Sequence, residues 1–113
     1  MRLRITLFLL GAWSCVLLLE GCAAGSGNAF PTAQEIVNRG SASATDTARL
    51  QRGRQLFASR CTECHVARRI SNYSVAQWQH YVGMMAPRAG LTTDDRAAVE
   101  DYVVKARQSI PSG

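Results

Sequence analysis

The sequence predicts an all-α fold, a small domain of about three helices. Three observations predict it. Apolar residues recur at helical spacing in three stretches, and two of those stretches begin with a Ser or Thr followed three residues later by Gln or Asp. No stretch alternates with the period of two that a half-buried strand needs. The helical pattern occupies residues 45–113, with 1–21 reading as an export signal and 22–44 as a flexible tether. A chain of 113 residues leaves no room for a second domain. A domain this small buries too little surface to rest comfortably on side-chain packing alone, so a metal, a disulfide or a cofactor is expected to complete it.

The chain opens Met1-Arg2-Leu3-Arg4 and runs apolar from Ile5 to Leu19. That is a basic n-region followed by an h-region. The apolar run is fifteen residues, whereas a membrane-spanning helix needs about twenty, so export with cleavage is expected over an uncleaved anchor. Leu19-Glu20-Gly21-Cys22 resembles a bacterial lipobox, although Glu20 is an unusual occupant of the middle position between Leu19 and the small residue before the cysteine. That resemblance implies cleavage before Cys22 and acylation of Cys22, which tethers the protein to the periplasmic side of a bacterial membrane or to the cell surface. More than one acyl chain makes such anchoring stable. The alternative is cleavage near Ala23 or Ala24 and a soluble periplasmic protein.

Residues 23–44 are rich in Gly, Ala, Ser, Thr and Asn. They read as a coil with a reach of roughly 25 Å. A short helix over 34–39 packed on the domain is the other possibility. Thr45 or Asp46 then caps a first helix carrying Leu50, Gly53, Leu56 and Phe57. A second starts at Ser74, whose S-x-x-Q box with Gln77 precedes Val75, Trp78, Val82 and Met85; Pro87 and Gly90 end it. A third starts at Thr92, with Asp95 three residues on, and carries Val99, Tyr102, Val103 and Ala106.

Between the first two helices stands Cys61-Thr62-Glu63-Cys64-His65, a CxxCH motif. Two thiols at this spacing reach the two vinyl groups on one edge of a haem, and the histidine that follows places its imidazole at the iron. One covalent haem c is therefore the expected cofactor. A thioredoxin-type redox motif is expected near a βαβ pattern, which the sequence lacks. A structural zinc would need a fourth ligand, for which His80 is the one other imidazole. Cys15 falls in the signal and Cys22 at the lipobox, so no cysteine is left for a structural disulfide.

At these residues the sequence resembles the monohaem class I cytochrome c family, over roughly 47–107. In that family a glycine and an aromatic residue on the first helix pack against an aliphatic and an aromatic residue on the last. Gly53 and Phe57 precede Cys61 at the family's spacing, and Val99 and Tyr102 have the partner spacing. The resemblance implies a small cytochrome c-like fold around the haem, with His65 as an axial ligand and Phe57 and Trp78 packing the haem pocket. An indole hydrogen bond from Trp78 to a propionate would suit such a pocket. The chain departs from the family after His65, where no proline supplies a carbonyl for the histidine ring.

The sixth ligand comes from Met85, Met84, His80 or no side chain. At about 100° per residue, Met85 lies some 20° from Trp78 on the face that must be buried, while His80 and Met84 point away. Met85 is accordingly the expected ligand, if the helix reaches it.

These expectations describe a one-electron carrier and not an enzyme, with redox proteins as partners, a membrane reached through its lipid, no small-molecule substrate and no nucleic acid. His/Met ligation raises the reduction potential relative to His/His. The chain carries +5, and losing Arg2, Arg4 and Glu20 leaves eleven basic and seven acidic side chains. Arg68, Arg69 and Arg88 read as a solvated face, one of them available to a propionate. Two other functions fit the same motif: an electron-wiring subunit of a larger membrane complex, and a haem protein with an open sixth site that acts as a peroxidase or binds gases.

Overall fold

The computed structural model describes residues 30–111. Four α-helices follow in order, α1 (Ala33–Asn38), α2 (Thr47–Ser59), α3 (Val75–Met85) and α4 (Thr93–Ser109). Two 3-10 turns, Ala44–Asp46 and Ile70–Asn72, lie between them, and the described residues contain no strand. No helix among them is long and apolar enough to cross a membrane. The export signal and Cys22 lie outside the described residues.

Helix α4 is the common partner, packing against each of the other three. Its stripe of Val99, Tyr102, Val103 and Ala106 is fully buried, and Leu50 and Phe57 of α2 close over it. Gly53 permits that closeness. A Cβ there would meet the Ala98 carbonyl oxygen at 2.0 Å and the Tyr102 Cβ at 2.8 Å. On the outside, Arg49 pairs with Asp101, and Arg52 with Asp95 at 2.9 Å. Such exposed pairs contribute well under about 1 kcal/mol each, so the apolar seam holds these helices together.

The caps of α3 and α4 stand where the sequence places them. Ser74 Oγ accepts from the Gln77 N–H at 3.2 Å, and Gln77 Oε1 accepts from the Ser74 N–H at 2.9 Å. Thr92 Oγ1 accepts from the Asp95 N–H. The Asp95 carboxylate does not reach back to complete a box, being engaged by Arg52. Neither Thr45 nor Asp46 caps α2 with its side chain. Asp46 turns back to accept from the backbone and hydroxyl of Ser43, which closes the preceding 3-10 turn instead.

The flexible tether expected over 22–44 is corrected from residue 30 onward. Thr32 and Glu35 form a reciprocal capping box that starts α1. Pro31, Ala33 and Ile36 are buried in the core. The Tyr102 hydroxyl donates to the Pro31 carbonyl at 2.9 Å, and Arg54 donates to that of Phe30 at 3.4 Å. A six-residue helix has no stability of its own, so burial of its apolar face against α2 and α4 is what holds it. Residues 30–39 thus form a strap across the domain.

Candidate functional site

The residues of the CxxCH motif follow directly on α2. Thr62 Oγ1 donates to the carbonyls of Ala58 at 2.8 Å and Ser59 at 3.0 Å, satisfying acceptors that a helix end leaves open. This fixes the turn from which Cys61 points inward. Cys61 is half-buried, and burial pushes its thiol above the ordinary range. Cys64 and His65 are exposed. His65 Nδ1 lies 3.0 Å from the Val66 carbonyl oxygen. A proton on Nδ1 donates there and leaves Nε2 free to act as a ligand atom. The acceptor that the sequence could not name is thus the neighbouring residue's own backbone.

After Val66, Arg68 and Arg69, which are exposed, and Ala67, which is half-buried against the core, the chain turns inward at Ile70, which is fully buried. The Ile70 carbonyl accepts from the Trp78 indole N–H at 2.8 Å. That bond overturns the expectation that Trp78 donates to a propionate. The single indole donor is already spent inside the protein.

Helix α3 continues through Met85, so the helical phase that separates Met85 from its neighbours holds. Trp78 and Val82 are buried, and Met85 is half-buried one turn beyond Val82. Met84 is 50 % exposed. His80 is exposed, its ring lying 5.7 Å from that of Tyr81.

These segments border a half-open cavity of about 680 Å³. Clefts of about 300–1,000 Å³ are the usual size for a small molecule or cofactor. Cys61, His65 and Met85 all line it, with Phe57 and Trp78. Cys64, Met84 and His80 do not line it. The structure therefore brings together a thiol, an imidazole and a thioether from two segments far apart in sequence. Nitrogen and soft sulfur donors of this kind suit iron, copper or zinc. Among the described residues no three His, Cys, Asp or Glu side chains gather to hold a metal ion by themselves.

Two aromatic residues of the lining, Tyr73 and Tyr81, were not foreseen, nor were Val66, Ala67 and Asn72. Tyr73 packs edge-on against Trp78 at 5.2 Å and against Tyr81 at 4.9 Å. Phe57 completes the aromatic wall, 5.5 Å from Trp78. The sequence did carry a signal for Tyr73. It directly precedes the Ser74 cap, with Trp78 at the fourth helical position, which is the pattern of a hydrophobic staple. The last turn of α4 secures this wall, because Arg107 Nε donates to the Tyr73 carbonyl at 3.0 Å. Arg68 and Arg69 line the cavity while largely exposed, so they bring positive charge to its rim. No protein-family model, curated protein or solved structure matches this chain.

Proposed function

We propose that this protein is a one-electron carrier that holds a single haem covalently through Cys61 and Cys64, with His65 and Met85 as axial ligands. It is exported and tethered to a membrane surface through acylated Cys22. The observation that carries the reading is the shared cavity, where Cys61, His65 and Met85 converge against an aromatic wall. The residues fit the group. A flat apolar ring system suits the Phe57, Tyr73 and Trp78 wall, an iron atom suits an imidazole and a thioether, and the free thiols of Cys61 and Cys64 are available for covalent attachment.

The bound haem supplies reversible one-electron chemistry at its iron. The protein's part is to position and to exclude water. Val66 and the Nδ1 contact orient the His65 ring, the Trp78 bond to Ile70 fixes the cavity floor, and Phe57 shields it from the α2–α4 side. A thioether ligand raises the reduction potential relative to a second imidazole.

A thiol oxidoreductase needs a thiolate with a depressed pKa. Burial moves Cys61 the other way. The alternative with an open sixth site differs in one ligand, and the reduced-minus-oxidised spectrum tests it. Protein matured in a host that makes c-type cytochromes should give sharp low-spin bands that carbon monoxide leaves unchanged. A spectrum that shifts at once on adding carbon monoxide would show that Met85 does not hold the iron.

A further inference from the structure

We infer that the domain works pressed close to the membrane, its cavity serving a redox partner held by that same membrane. This rests on the reading of Cys22 as the lipid anchor and gives that reading a distance. The strap over 30–39 is the basis. Phe30 packs against Phe57, the ring centroids 5.7 Å apart and the planes tilted by 55°, and Phe57 lines the cavity. The carbonyls of Phe30 and Pro31 are held by Arg54 and Tyr102, and Ile36 is fully buried. At the far end of the strap, Arg39 donates to the Ser109 carbonyl at 3.4 Å. The attachment is therefore spread over α2 and over the middle and the C-terminal end of α4.

Only residues 23–29 separate Cys22 from Phe30. Whatever conformation they take, the eight Cα-to-Cα steps from Cys22 to Phe30 span at most roughly 30 Å. A tether running free to residue 45 would span up to roughly 80 Å. The strap removes most of that reach and places its exit one aromatic contact from the cavity wall. A partner confined to the same membrane face meets such a domain at a raised effective concentration, whereas a partner dissolved in the bulk gains nothing. The described residues carry eleven Arg and Lys against seven Asp and Glu. That excess adds attraction toward an anionic lipid surface.

The test uses the full acylated chain on a supported bilayer, with neutron reflectometry reading the separation between the protein layer and the headgroups. A second chain carries a Gly/Ser spacer of about twenty residues after Ala24, outside the strap. The native layer should lie within roughly 30 Å of the headgroups, and the spacer should move it outward by roughly 15 Å. Oxidation of the reduced protein by ferrocenium attached to lipid headgroups should slow several-fold with the spacer. Oxidation by soluble ferricyanide should stay unchanged. A native layer farther out, a spacer without effect on the separation, or equal slowing with both oxidants would overturn the inference. A chain that is unacylated and forms no layer overturns the anchor reading itself, and the absence of a layer tells that failure apart.

Discussion

A Cβ on Gly53 would stand 2.0 Å from the carbonyl oxygen of Ala98, closer than any real contact permits. Helices α2 and α4 can touch at this point because residue 53 has no side chain. Gly53→Ala gains up to about 1 kcal/mol of helix propensity. It must also push the helices apart along the main seam of the core. Overpacking of this kind costs about 3 kcal/mol. Urea unfolding should show a net loss near 2 kcal/mol, and a variant as stable as wild type would contradict the close crossing.

The bond from Tyr102 to Pro31 gives a second expectation. Tyr102→Phe keeps the ring but leaves a buried carbonyl without a donor, at a cost of about 1–3 kcal/mol. Amide exchange at Ile36, whose N–H bonds the Thr32 carbonyl, should speed up. The same residue predicts alkaline sensitivity. Burial pushes the Tyr102 hydroxyl far above the ordinary tyrosine value. Above about pH 10 the unfolded chain releases that proton while the folded chain keeps it, so stability falls as pH rises. A stability profile from pH 8 to 11 in both chains checks this, because Tyr102→Phe should flatten part of the decline.

Trp78→Phe should separate the structural role of the indole from its bulk. The Ile70 carbonyl loses its donor, and the turn Ile70–Asn72 should loosen by about 1–3 kcal/mol. Faster exchange of the Asn72 amide, now bonded to the Arg69 carbonyl, is the local readout. Haem attachment through Cys61 and Cys64 should persist.

Met85→Ala should abolish the long-wavelength band of sulfur bound to ferric haem, lower the potential, and open the iron to carbon monoxide or cyanide. Met84→Ala and His80→Ala should leave the band in place, since neither residue lines the cavity. Loss of the band in Met84→Ala alone would mean that the chain rearranges around the last turn of α3.

Much of this arrangement was legible in the sequence because short-range chemistry determines it. The Ser74–Gln77 box, the stripe from Trp78 through Met85 and the Gly53–Phe57 spacing before Cys61 all depend on residues within two turns of each other. The strap was only partly legible: the short packed helix weighed over 34–39 forms, at Ala33–Asn38, but composition favoured a tether there. It lies within 23–44, whose flanking Gly, Ala and Ser residues resemble a linker, while Pro31, Ala33 and Ile36 acquire their role only by burial against α2 and α4. Thr32-x-x-Glu35 ahead of Ile36-Val37 was the available clue, a capping box before an apolar pair. Asp46 followed a different route, since the nearby Ser43 competed successfully for its carboxylate. The use of the indole by Ile70 could not be read at all, because the acceptor is a backbone carbonyl brought inward by a turn without its own sequence pattern.

The most direct test is the intact mass of the exported protein, taken together with acid-acetone extraction. The expected result is a polypeptide heavier than its apoprotein by one haem, with the pigment left on the chain after extraction. A Cys61→Ser, Cys64→Ser chain should lose that mass. Pigment that extracts freely, or a chain that carries zinc or two unmodified thiols, would contradict the covalent haem.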